Sequence, residues 1–191
     1  MSFKYYLVYK PFQVMSQFSP VEGKQTLKDF FEVERDVYPV GRLDYDSEGL
    51  LVLSNDKRLN QQLLHPISKQ EKEYFVQVEG LMTAEALRQL EKGVTINIDG
   101  KPHQTLPAKA RLLNPPPVLP ERNPPIRYRA HIPTTWISLT ITEGKNRQVR
   151  RMTAAVGFPT LRLVRWRQGK LTIEGLEPSD MRMVGPRQLL P

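Results

Sequence analysis

Three carboxylates crowd one short tract, Gly41-Arg42-Leu43-Asp44-Tyr45-Asp46-Ser47-Glu48-Gly49, with an arginine beside them. Asp44, Asp46 and Glu48 suit three kinds of work. One carboxylate can serve as a nucleophile. Several together can hold Mg²⁺ for nuclease or phosphotransfer chemistry. Residues of this type also act as plain turn or cap groups. From the residues alone, Asp44 fits the nucleophile and the turn residue equally well. The tract runs straight into Leu50-Leu51-Val52-Leu53, apolar on both faces and therefore an interior strand. A carboxylate on a loop ahead of such a strand has a stiff base to work from.

A second concentration of charge lies late in the chain. Between positions 145 and 173 stand Lys145, Arg147, Arg150, Arg151, Arg162, Arg165, Arg167 and Lys170, with no acid among them. A merely solvated face usually mixes both signs, so this tract reads as a phosphate-binding surface. Five phosphate contacts to a single strand would give log K against log salt a slope of about −3.5. Within the helix expected over 147–156, Arg147 and Arg151 lie one turn apart and Arg150 stands at i+3 from Arg147. Val149 and Met152 turn toward the core. An arginine at that boundary is suited to hold a partly buried carboxylate.

The bulk numbers agree with an anionic partner. Lys and Arg number 28 against 20 Asp and Glu in 191 residues, a net charge of +8. Such an excess favours nucleic acid over a neutral ligand. The absence of cysteine excludes disulfides and thiolate metal sites, and His65, His103 and His131 lack ligand spacing. No apolar run reaches the ~18 residues of a membrane span. No signal-peptide core follows Met1. The expectation is a cytoplasmic protein with no metal and no membrane partner.

The elements that must position these residues follow from local pattern. Residues 5–9 form a first strand stopped by Lys10-Pro11, and residues 26–31 give one or two helical turns. A strand over 74–78 closes at Glu79-Gly80. A helix over 83–92 has Thr83 as its cap and Gly93 as its stop. Nine of the 17 prolines fall within 102–133, which predicts a stiff extended loop. Residues 137–142 alternate, the pattern of a strand with one buried face. Gly157 ends the helix over 147–156, and 161–166 with 170–173 predict a hairpin across Gln168-Gly169. Strands outnumber helices without βαβ alternation. The fold class is α+β, a mostly antiparallel central sheet with flanking helices.

Taken together, these tracts resemble the pseudouridine synthases of the RsuA type. Gly41-Arg42-Leu43-Asp44 with Asp46-Ser47-Glu48-Gly49-Leu50-Leu51 matches that family's aspartate motif. Glu143-Gly144-Lys145-Asn146-Arg147-Gln148-Val149-Arg150-Arg151-Met152 matches its late basic motif. Lys10-Pro11 matches the early motif, and Lys72-Glu73-Tyr74 the motif that carries a tyrosine. Arg122-Asn123-Pro124-Pro125-Ile126-Arg127 and Gly157-Phe158-Pro159-Thr160-Leu161-Arg162-Leu163 resemble a branch that modifies large-subunit 23S ribosomal RNA. Two positions depart from the pattern. Tyr45 stands where relatives often carry arginine, and Gln168 where an aliphatic residue is commoner.

The resemblance implies one catalytic domain of two lobes over 1–191, with a cleft across the sheet and no S4-type RNA-binding domain. It implies an isomerisation in which the C1′–N1 bond of uridine breaks and the sugar rejoins the base at C5. That reaction conserves atoms and electrons and requires no cofactor. The implied catalytic residues are Asp44 as nucleophile, Arg150 as the group that orients it, and Tyr74 facing the base. Lys10, Arg42, Leu163, Lys145, Arg147, Arg162 and Arg165 are the implied substrate contacts, Leu163 as an apolar wall. Asp46 and Glu48 are expected to shape the loop and pair with Arg42. The implied partner is RNA, either 23S ribosomal RNA or an assembling large subunit, with no DNA and the enzyme a monomer. A Mg²⁺-dependent RNA nuclease and a non-catalytic ribosomal-RNA assembly factor are the alternatives.

Overall fold

The structure is a computed structural model that describes residues 3–59, 70–126, 129 and 131–189. His65 and Arg127 lie outside the described residues. The chain forms two compact units, Met1–Gln70 with Val164–Pro191, and Glu71–Leu163. Along the first stretch run β1 (Tyr5–Lys10), β2 (Val14–Met15), β3 (Gln25–Thr26), a 3₁₀ turn (Leu27–Asp29), β4 (Tyr38–Val40) and β5 (Glu48–Ser54). The second unit holds β6 (Lys72–Glu79), α1 (Ala84–Lys92), β7 (Thr95–Ile98), β8 (Lys101–Gln104), β9 (Lys109–Leu112), β10 (Thr134–Ile141) and α2 (Gln148–Ala155). The chain then continues through β11 (Thr160–Gln168), β12 (Leu171–Thr172), β13 (Met181–Met183) and α3 (Pro186–Leu189). The architecture is α+β, with antiparallel pairings in the majority.

In the first unit β5 is the spine. All seven of its residues are buried, as a strand apolar on both faces requires. It pairs antiparallel with the whole of β1, from Tyr5 opposite Ser54 to Lys10 opposite Gly49. Its other edge is shared: β4 takes residues 52–54, and β11 runs parallel beside Glu48 and Gly49. Gly49 has φ +104, and a Cβ there would stand 2.4 Å from the Arg165 carbonyl oxygen. Only glycine lets β11 approach so closely. The helical turns expected over 26–31 reduce to the 3₁₀ turn, held by the Asp29 carboxylate accepting from the Thr26 N–H at 2.7 Å. The closing hairpin pairs Arg167 with Thr172 and Gln168 with Leu171, so its turn is Gly169-Lys170, one residue later than expected.

In the second unit β10 lies between β6 and β9. Its residues 137–141 are all buried, not the single face that alternation predicts. A strand paired on both edges and covered on both faces must bury its polar positions as well. Ser138 is satisfied by donating to Glu73 at 2.7 Å. α1 forms as expected: the Thr83 hydroxyl accepts from the Ala86 N–H, and Gly93 takes φ 89 at the end. The proline-rich stretch departs from a continuous loop. It contains β8 and β9, and Pro102 sits in the two-stranded β7–β8 ribbon, where a missing N–H is tolerated. The irregular part begins after β9. It is tied down by Arg122 donating to the carbonyls of Pro124 and Leu161, and by Arg162 donating to that of Pro120.

Candidate active site

The acidic tract sits in the first unit, and the backbone around Asp44 is clamped. Ser16, buried after β2, donates its hydroxyl to the Leu43 carbonyl at 2.8 Å and accepts from the Leu43 N–H at 3.1 Å. One residue on, the Asp44 carbonyl accepts from the Ser47 N–H at 3.0 Å and closes a turn. Asp44, Tyr45 and Asp46 are partly exposed, while Ser47, Glu48 and Gly49 are buried as β5 begins. Asp44 therefore stands between a two-bond clamp and the head of the fully buried strand β5. Tyr45 lies on the same turn with the Lys24 ammonium 5.1 Å from its ring centre.

Lys10 closes the cluster from β1. It is fully buried, and its ammonium donates to the carbonyls of Pro11 at 2.9 Å and Val14 at 2.7 Å. Burial pulls its pKa down to about 7. The attraction of Glu48, then Asp46, then Asp44 offsets part of that, and Arg165 adds to the depression. Arg165 is 4% exposed, with Nε donating to the Leu50 carbonyl at 2.8 Å; its Nη2 has no hydrogen-bond partner among the described residues. So within the first unit Lys10 feels the charges of Glu48, Asp46, Asp44 and Arg165. Arg42 is exposed on the adjoining loop. Asp46 and Glu48 both act on the charge of Lys10. Among the described residues no three or more His, Cys, Asp or Glu side chains gather as a metal-holding group.

The second unit carries the remaining residues. Tyr74 is on β6, 9% exposed, opposite Leu139 of β10. Arg150 projects from α2 and donates to the Thr160 carbonyl at the head of β11. The start of α2 is built by a chain of polar contacts. Glu143 accepts from the Leu106 N–H at 2.7 Å and the Gln148 amide at 2.8 Å, and meets the His103 ring at 3.1 Å. Burial alone would raise this carboxyl, but those three contacts outweigh it and hold it below the usual range. Gln148 in turn accepts from the Lys145 N–H at 3.0 Å. Arg147, at the cap, takes a left-handed φ of 48. Asn146 receives Arg151 on both its backbone and side-chain oxygens.

The late basic tract is not one exposed face. Arg162 and Arg165 are 7% and 4% exposed, Arg162 bound to Pro120 and Arg165 to Leu50. Their guanidinium groups satisfy backbone carbonyls inside the fold, because residues 162–165 of β11 are buried. Leu163 is buried on the same strand. Lys145, Arg147 and Lys170 are the exposed cations of the tract. Sequence reasoning missed Ser16, Glu143 as the organiser of α2, and the buried character of Lys10. For Lys10 one signal existed, a lysine directly continuing a run of apolar strand residues.

An aspartate next to a clamped backbone residue, on an α+β fold, agrees with what comparison with known proteins finds. The chain belongs to the RNA pseudouridylate synthase family, whose model matches residues 4–155. It is therefore an isomerase of uridine in RNA. It is 51% identical over 175 residues to ribosomal large subunit pseudouridine synthase E of Vibrio parahaemolyticus, covering 92% of this chain and 71% of the relative. To the protein of the same name from Xanthomonas campestris pv. campestris it is 46% identical over 187 residues, 97% of each. A crystal structure of a pseudouridylate synthase superposes with a TM-score of 0.80 at 25% identity, over 98% of this chain and 73% of that one. Family membership replaces the nuclease and assembly-factor alternatives.

Proposed function

We propose that this protein converts a specific uridine of 23S ribosomal RNA to pseudouridine, with the Asp44 carboxylate as its nucleophile. The observation that carries the role of Asp44 is its setting, with the preceding residue clamped twice by Ser16 and β5 beginning four residues later. A nucleophile gains most from such fixation, because orientation removes entropy from the reacting complex. The large-subunit substrate is inferred from relatives named ribosomal large subunit pseudouridine synthase E.

In this reading Asp44 forms a covalent bond to the nucleotide and the glycosidic bond breaks. The base turns, C5 bonds to C1′, and the bond to Asp44 breaks and frees the carboxylate. N1 gains a proton as C5 gives one up. The proton on C5 leaves last. Arg150 is a further catalytic residue in this reading, with a planar guanidinium suited to a carboxylate or a phosphate. Tyr74 faces the extruded base, where an aromatic surface recovers about 1–3 kcal/mol of lost stacking. Lys145, Arg147 and Arg42, all exposed, contact phosphates. The enzyme acts as a monomer in the cytoplasm, where ribosomes are assembled. No described helix is long and apolar enough to cross a membrane.

The test is Asp44→Asn. Pseudouridine mapped by chemical probing of 23S RNA must disappear while RNA affinity stays within a few-fold of the parent. Modification surviving in the variant sinks the mechanism.

A further inference from the structure

We propose that Glu143 is the positioning residue of segment 145–147: its carboxylate, anchored to the β7–β8 ribbon, fixes Gln148, and Gln148 fixes the backbone that presents Lys145 and Arg147 to RNA. This rests on the reading of Lys145 and Arg147 as phosphate contacts. By charge alone Glu143 is out of place. It stands two residues before Lys145, at the head of a basic tract, where a carboxylate repels the phosphates that its neighbours attract. Its side chain is only 10% exposed, so it is not a solvated counter-charge either.

Each oxygen of Glu143 has a fixed partner. Oε2 accepts from the Leu106 N–H at 2.7 Å and from the Gln148 amide at 2.8 Å, and Oε1 meets the His103 ring at 3.1 Å. His103 belongs to β8 and Leu106 lies two residues beyond that strand, so the carboxylate is anchored there before it reaches α2. Gln148 is buried and passes the contact on. Its Oε1 accepts from the Lys145 N–H at 3.0 Å, and its own N–H donates to the Lys145 carbonyl at 3.2 Å. Both backbone groups of Lys145 are thereby engaged. On the far side Arg151 donates to the backbone and side-chain oxygens of Asn146, at 3.1 and 3.0 Å, and to the Asn97 carbonyl of β7.

These contacts hold a backbone that would not hold itself. Arg147 has φ 48 and ψ 33, the left-handed region that a residue with a Cβ occupies at a cost. Such a conformation persists where its surroundings fix it. Here both neighbours are fixed, Asn146 by Arg151 and Gln148 by Glu143. Residues 144–147 are nevertheless all exposed, so Lys145 and Arg147 project from a held backbone. A phosphate contact made from a preset backbone loses less freedom on binding than one made from a loose loop.

Two substitutions that change the charge by the same amount separate position from charge. Glu143→Gln keeps an acceptor for Leu106 and Gln148 and still meets the His103 ring, whose nitrogen accepts in one tautomer. Glu143→Ala keeps none of these contacts. Affinity for an unmodified 23S RNA transcript, measured over a salt series, reads the difference. Glu143→Ala is expected to bind about 10-fold more weakly although it gains positive charge, and Glu143→Gln to stay within about 2-fold of the parent. Arg147→Ala should weaken binding and lower the salt slope by about 0.7. In the double variant of Glu143→Ala and Arg147→Ala the two losses should fall short of multiplying, because one acts through the other. Should Glu143→Ala fail to fold, Gln148→Leu breaks the same link with no change of charge and is expected to weaken binding alike. Binding as tight as the parent's in Glu143→Ala, or in Gln148→Leu where that variant replaces it, overturns the proposal. Equal affinities of the two Glu143 variants, or losses that multiply, overturn it as well. An Arg147→Ala protein with the parent's affinity and slope would instead discard the phosphate reading. A weakened Arg147→Ala beside an unaffected Glu143→Ala would discard only this inference.

Discussion

At the scale of single residues, charge is the organising quantity. An arginine that works on a carboxylate or a phosphate supplies geometry as well as charge. The Arg150 guanidinium donates to the Thr160 carbonyl. Lysine keeps the charge and loses the planar fork. Arg150→Lys is therefore expected to lower kcat by about 10-fold or more, with RNA binding nearly unchanged. Single-turnover rates beside equilibrium binding would separate the two, and an intact rate would remove Arg150 from the site.

At the scale of elements, the loop carrying Asp44 is held by its neighbours. Ser16 gives Leu43 both a donor and an acceptor. Replacing Ser16 with alanine leaves the Leu43 N–H and carbonyl without that hydroxyl in a buried place. The expected loss of stability is about 1–3 kcal/mol in urea denaturation. Because Leu43 directly precedes Asp44, the same variant should lose rate beyond what partial unfolding explains. The first turn of α2 is organised in a comparable way, with Glu143 tying Leu106, His103 and Gln148 together ahead of Arg150.

At the scale of the whole molecule, Lys10 links folding to pH. Its folded pKa of about 7 lies below the ~10.4 of an unfolded lysine. Between those values the unfolded chain binds more protons than the folded one, so stability rises with pH. Below about pH 7 both states are protonated and this contribution is flat. Stability measured from about pH 7 to 10 should climb with a slope approaching about 1.4 kcal/mol per pH unit from this group alone. Subtracting the same series for Lys10→Met isolates it, since other titrating groups are common to both. Identical slopes in the two proteins would show that Lys10 is charged throughout.

Much of this protein was determined by the sequence alone. The β1 and β6 strands, the capped helix α1, the interior strand at Leu50–Leu53 and the α+β class all follow from local periodicity and cap chemistry. The order of the aspartate, tyrosine and basic motifs pointed to the family. Tertiary structure alone decided which charges are inside. Nothing local distinguishes Arg162 and Arg165 from Arg147 or Lys145, yet the first two are buried on β11 and the others exposed. Nor does the sequence near Lys10 announce Gly49 opposite it, or the three carboxylates whose field it feels. Burial of a charge depends on which strands pair across the sheet, and that pairing joins residues far apart in the chain.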